Sequence, residues 1–419
     1  MPLGQKTLLA AGMLSTVAIL GGCSDEDDKV LGPVDSEAEE DLNTWIWALD
    51  DETGTLWVHD ADTGDLEATF DGESHPMMRQ AFAGPDAEPT VWMGREGSAY
   101  AYTRGFHPHG DHAHMEIPEA LGTIATGPGN VHQGVDEDGD HVCYANDEDG
   151  SFTLIDVEAR TARTVHHGSG HSAAFHSHGL LVATDMHNKW ARVIDADADT
   201  VIHEVAIDTL AHGDAFHHDS KSLFIATLNG FEVLDVEGGT LGTMIPYPIA
   251  GRVNFLYHSG DGPVALGLHR AEGDTDKIIL LDMAARTAEA LAVDGASLAW
   301  NISGGNFALS EDGKMVVATD LELPRAYAIC IDAENATCYR TVLPVTVPAS
   351  DMACALNYSG DHIWVMEKST GTVSCYHPDE GELHNTWAVD AAADYIFATS
   401  LPPGSEVIKD YSSPEEGQP

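Results

Sequence analysis

His171-Ser-Ala-Ala-Phe-His-Ser-His-Gly-Leu-Leu-Val-Ala-Thr184 and His212-Gly-Asp-Ala-Phe-His-His-Asp-Ser-Lys-Ser-Leu-Phe-Ile-Ala-Thr227 are two copies of one pattern. Each opens on HxxAFH, passes through a polar turn and ends in a short apolar run of strand character. Their spacing falls in the range of about 40 to 50 residues in which propeller blades repeat, each repeat being one small antiparallel sheet. Related units start near Met77, Val131, Arg252, Trp300 and Asp351, with strands at Val91 to Gly94, Val142 to Ala145, Val264 to Gly267, Met315 to Thr319 and Ile363 to Glu367.

The two ends of the array complete one another. Trp45 to Phe70 holds strands without an entry strand, and Tyr395 to Thr399 is a strand without a blade. Joined, they close the ring and remove the sheet edges that an open array exposes. The expected fold is all-β: a single β-propeller of eight blades, with seven as the alternative count, closed by N- and C-terminal strands in one blade. Alternation in Ser151 to Val157 and Phe231 to Val236 marks outer strands, each followed by an acidic turn. The chain divides into a signal segment at 1–22, an acidic tether at 23–42, the propeller at 43–405 and a polar tail at 406–419.

Composition narrows the function. The 419 residues hold 69 Asp and Glu against 19 Lys and Arg, a formal net charge of −50. Such a surface offers no basic footprint for phosphates, so nucleic acid is excluded as a partner. It suits a salt-rich habitat, where carboxylates keep a protein hydrated, and it also sets up a field that attracts cations. The first residues form an address: Lys6, an apolar stretch from Thr7 to Leu20, then Leu20-Gly21-Gly22-Cys23, which resembles the bacterial lipobox. Cys23 is therefore the expected lipidation site. The apolar stretch is shorter than the roughly 20 residues of a spanning helix. Ser24 after the cysteine favours the outer membrane, facing the periplasm. Among the remaining five cysteines, Cys330 and Cys338 flank a turn-like segment and are the expected disulfide, and no CxxC pair supports a redox or zinc-ribbon site.

Histidine is the residue type out of proportion: 23 copies, 17 of them between His107 and His258. The densest stretch is His107-Pro-His-Gly-Asp-His-Ala-His114, read as a loop joining the third and fourth strands of its blade, with Asp111 at its centre. Imidazole is a good ligand for Zn, Cu and Ni, and His-rich tracts of this kind bind metal. His107, His109, His112 and His114 are the first candidate ligands. His132, His171 and His212 fall at the entry of the innermost strand in three successive units and are expected at the mouth of the channel, with Asp214 beside them. His176, His178, His217 and His218 follow the same strand and form a third, weaker set. Zn2+ is the expected ion ahead of Cu2+ or Ni2+, since imidazole with carboxylate suits these ions and no cysteine lies in the clusters.

Taken together, the signal segment, the propeller repeats, the HPHGDHAH stretch and the repeated HxxAFH resemble the AztD-type periplasmic zinc metallochaperones. The resemblance covers nearly the whole mature chain. It implies a carrier that hands zinc to the solute-binding protein of an ABC importer, using His107, His109, His112 and His114 and the entry residues His132, His171 and His212; the chain is expected to be a monomer and not an enzyme. The lipobox and the extreme acidity are departures from that family's pattern, and they argue against free diffusion between membrane and partner. Two alternatives stand beside this reading. A lipid-anchored propeller scaffold for envelope interactions gives no reason to concentrate histidine in part of the ring. A zinc-dependent hydrolase needs an open coordination position and a nearby general base such as Glu116. Asp50-Asp-Glu-Thr-Gly-Thr-Leu-Trp57 echoes the blade motif of quinone-cofactor dehydrogenases, but it is one residue short and does not recur around the ring.

Overall fold

The structure, a computed structural model, describes residues 42–72, 80–83, 89–109, 112–136, 139–168, 172–177, 179–185, 188–207, 213–217, 220–258, 264–270, 277–292, 297–298, 305–331, 340–402 and 405–409. These build eight antiparallel sheets whose main path is four strands each. Blade one comprises Gln80–Ala83, Thr90–Arg95, Ser98–Thr103 and Ala120–Ala125. Blades two to seven are consecutive stretches of chain, beginning with Asn130–Val135, Ser172–Ser177, Asp214–His217, Arg252–His258, Phe307–Leu309 and Met352–Leu356. In blade eight Tyr395–Ser400 pairs with Thr44–Leu49, which is followed outward by Leu56–Asp60 and Leu66–Phe70. The blade count is thus eight, and the ends share a sheet as the sequence leads one to expect.

First strands of neighbouring blades adjoin. Gln80–Ala83 lies against Asn130–Val135, that strand against Ser172–Ser177, and Met352–Leu356 against Tyr395–Ser400. Burial follows strand position. The middle strands are apolar on both faces because each sheet is sandwiched between two others, as in the fully buried Met315–Thr319. The outermost strands meet water, and Thr161–His166 is exposed except at Val165. The sequence repeats this gradient in every unit, which is why the blades are legible in it.

Closure is held by side chains as well as by the ladder. Trp47 stacks on Phe397 with ring centroids 5.4 Å apart and meets Tyr102 of blade one edge-on at 5.8 Å. Its indole N–H donates to Thr399 Oγ1 at 3.0 Å, and that hydroxyl donates to the Arg104 carbonyl at 3.0 Å. The echo of a dehydrogenase motif at Asp50 is a turn device. Asp50 Oδ1 accepts from the Glu52 amide at 2.8 Å and Oδ2 accepts from Thr53 Oγ1 at 2.6 Å, while Gly54 takes φ +75°. Asp60 and Gly64 repeat the arrangement one hairpin later.

Two boundaries of the propeller shift by a few residues. Leu42, assigned to the tether, is buried in the core. Glu406–Lys409, assigned to the polar tail, is a strand: its partner is an edge supplied some 290 residues earlier, which local composition cannot reveal. Cys330 is disulfide-bonded, Cys338 lies outside the described residues, and Cys143, Cys354 and Cys375 are buried free thiols. Burial pushes the thiols of all three up, that of Cys354 to about 12. Cys23 and the rest of 1–41 also lie outside the described residues.

Candidate metal centre

The HPHGDHAH stretch sits between the third and fourth strands of blade one, and it is a paired hairpin. Phe106–His109 runs antiparallel to His112–Met115, with His107 opposite His114 and His109 opposite His112. The alternation of strand side chains explains the form. Phe106, Ala113 and Met115 are buried, so residues of the opposite parity, His112 and His114, share the other face and are only half-buried. Their rings meet edge-on with centroids 4.9 Å apart and Nε2 atoms 3.0 Å apart. His107 is exposed. Asp111 and the side chain of His109 lie outside the described residues.

A third strand completes this small sheet. Glu406–Lys409 pairs in parallel with His112–Met115, setting Glu406 beside His112 and Ile408 beside His114. Lys409 reaches blade eight, its ammonium close to Asp62 Oδ2 and 3.8 Å from Asp60 Oδ2. At the base, Gly105 takes φ +79°, and its carbonyl accepts from Trp45 Nε1 at 3.1 Å and from the Glu116 amide at 2.9 Å. Glu116, named as a general base for the hydrolase alternative, is exposed just past the hairpin.

The other predicted residues fall as follows. His132 is half-buried on the inner strand of blade two, beside a register shift. His171, His212, His178 and His218 lie outside the described residues, as does the side chain of His176 on the inner strand of blade three. Asp214 opens the inner strand of blade four and accepts from Thr184 Oγ1 at 2.6 Å across the blade boundary. His217 is buried, with Nδ1 2.7 Å from Ser220 Oγ. Among the described residues, the proposed channel set is therefore represented by His132 and Asp214.

Sequence reasoning missed a cluster in blade seven. His362 precedes the second strand, Ile363–Glu367; His377 follows the third, Thr372–Tyr376; His384 lies on the fourth, Leu383–Ala388. Because Ile363 pairs with Tyr376, and Tyr376 with Leu383 after a register shift, the three rings are brought together. One donor atom from each lies within 4.8 Å of the others, and ring centroids are 4.8 to 5.5 Å apart. His384 Nδ1 is 3.2 Å from His377 Nε2. His362 is buried; its Nδ1 is 3.1 Å from Asp361 Oδ1, and its Nε2 is buried without a hydrogen-bond partner. Burial pushes the Asp361 carboxyl up, but the bonds from His362 and Asn357 outweigh it and hold the group at about 2.

The fold and the hairpin define an eight-bladed propeller that displays adjacent imidazoles on an insertion from its first blade. Two solved structures of AztD from Citrobacter koseri, one described as apo, share this fold: TM-scores are 0.67 and 0.68 at 15% and 16% identity, over 85% of this chain and 97% of theirs. A dihydro-heme d1 dehydrogenase, NirN, in complex with its ligand DHE, is similar over 86% of this chain and 75% of its own, with TM-score 0.60 and 11% identity. At these identities the likeness is one of fold, and the fold is of the AztD type. No protein-family model matches the sequence, and no curated protein matches it.

Proposed function

We propose that this protein is an exported, zinc-binding metallochaperone that delivers its ion to the solute-binding protein of an ABC importer. The observation carrying the reading is the hairpin: His112 and His114 with Nε2 atoms 3.0 Å apart on a half-exposed face, and His107 in register opposite His114. Tetrahedral zinc at about 2.0 to 2.1 Å from each nitrogen separates its ligands by roughly 3.3 Å, so this pair needs only a small rotation to share an ion. The sequence resemblance to zinc metallochaperones supports zinc over copper or nickel and supports a role without turnover.

Exposure serves transfer. A ligand pair at the surface can be replaced one nitrogen at a time by those of a partner, and imidazole leaves without disturbing the blade beneath. Acid should weaken binding, because protonated histidine cannot ligate. A lipid anchor on Cys23 would hold the carrier at the outer membrane, facing the periplasm, and act as a tether rather than a span. The test is to load the protein with zinc, mix it with an apo zinc-specific solute-binding protein, separate the two and measure metal in each. Transfer that disappears in the His107→Ala, His112→Ala, His114→Ala variant is expected. Metal remaining on the carrier under conditions where the solute-binding protein competes well for free zinc would overturn the proposal.

A further inference from the structure

We infer that His362, His377 and His384 form a second divalent-cation site, built inside blade seven and separate from the hairpin on blade one. Its donor set is three imidazoles, the set suited to zinc and other late first-row divalent ions, with the fourth position left to water.

Three observations converge. The donor atoms lie within 4.8 Å of one another, and the His377–His384 contact of 3.2 Å matches the roughly 3.3 Å expected between ligands of one tetrahedral ion. His362 presents a buried Nε2 with no partner, and buried polar atoms are normally satisfied. Its other nitrogen is engaged by Asp361 at 3.1 Å, so Nδ1 donates and the buried Nε2 is left as the lone-pair nitrogen. That is the carboxylate–histidine–metal order in which an outer carboxylate fixes the tautomer of a ligand. Asp361 is fixed in turn by Asn357 Nδ2. Two imidazoles sharing a hydrogen would account for His377 and His384 alone. They would leave His362 Nε2 unexplained.

The site's placement predicts different behaviour from the hairpin. His362 is buried just before a central strand, and the site is framed by three strands of one blade, whereas the hairpin ligands lie on an insertion. The blade-seven ion is therefore the retained one and the hairpin ion the exchangeable one. The inference stands apart from delivery, since the triad binds metal whether or not the hairpin hands any on.

The experiment is zinc titration and metal analysis of the chelator-stripped mature protein and two variant sets, with folding checked by circular dichroism. Removing the hairpin ligands, His107→Ala with His112→Ala and His114→Ala, should leave one slowly exchanging ion per chain. His377→Gln with His384→Gln should abolish that ion and leave the hairpin's. Cobalt added to the hairpin variant should give the visible bands of a tetrahedral site. Asp361→Asn should retain the ion with roughly 10- to 100-fold weaker affinity. Loss of all metal from the hairpin variant, or unchanged binding in the His377→Gln, His384→Gln variant, overturns the inference; failure of transfer with the slow ion intact instead counts against delivery alone.

Discussion

His167 should make the propeller acid-labile by an amount the structure sets. The ring is 1% exposed, stacked on Phe152 with centroids 4.2 Å apart and edge-on to Trp190. Its Nε2 lies 3.2 Å from the Ser151 carbonyl, and its Nδ1 is buried without a partner. Burial lowers its pKa to about 4, the Ser151 bond opposes that, and the Arg192 guanidinium adds to it. The ordinary value is about 6.5, so between these limits the unfolded chain binds the extra proton. The contribution to stability is complete above about pH 6.5 and is lost as pH falls toward 4. Between about pH 7.5 and pH 5 the loss amounts to about 2 kcal/mol at 25 °C. Urea unfolding at both pH values, with chelator present, compares the wild type with His167→Gln. The many carboxylates titrate in both proteins, so they cancel in the difference. The wild type should lose about 2 kcal/mol more than the variant on acidification. Equal losses would refute the buried neutral imidazole.

Gly105→Ala should disorder the hairpin base, since a Cβ there would meet Trp45 Nε1 at 2.4 Å and Pro118 Cγ at 2.8 Å at φ +79°. A cost of about 1 to 3 kcal/mol is expected in thermal or urea melts, with faster loss of hairpin zinc to a chelator. Ending the chain after Ser405 removes the strand beside His112–Met115 and the Lys409 contacts with blade eight. Competition titration should show weaker hairpin binding with the slow blade-seven ion unchanged. Ending it before Tyr395 deprives blade eight of its inner strand, and aggregation on expression is the expected outcome.

The fold was legible because blades repeat and because Trp45 to Phe70 and Tyr395 to Thr399 each lack what the other has. The hairpin was legible as a histidine tract, but its paired form was not, since Pro108 and Gly110 read as loop. The blade-seven triad was hidden by its ordinary spacing. Residues 362, 377 and 384 show no HxH, and the eye goes to the tract between His107 and His258. A usable signal was present: a residue just before one strand and a residue just after its antiparallel partner must be neighbours. His362 and His377 stand in that relation around Ile363–Glu367 and Thr372–Tyr376. The position of His384 required the register shift between Cys375 and Tyr376, which no local pattern announces.

The acidic surface and the imidazole sites divide the work of recognising an ion. A net charge of −50 raises the concentration of every cation near the protein without distinguishing zinc from magnesium or calcium, which carboxylates hold through oxygen. Nitrogen donors at 3.0 to 3.2 Å make the distinction. The two effects also scale differently with salt. At about 1 M ionic strength the screening length is about 3 Å, so the carboxylate field no longer reaches an approaching ion, whereas first-contact coordination bonds are little changed. If the acidity serves hydration in a saline habitat, zinc occupancy should persist at high salt while association slows. If the field itself held the ion, occupancy would collapse with it. The close-set imidazoles, one of them buried and oriented by Asp361, favour the first outcome, and equilibrium dialysis against zinc across a sodium chloride series distinguishes the two.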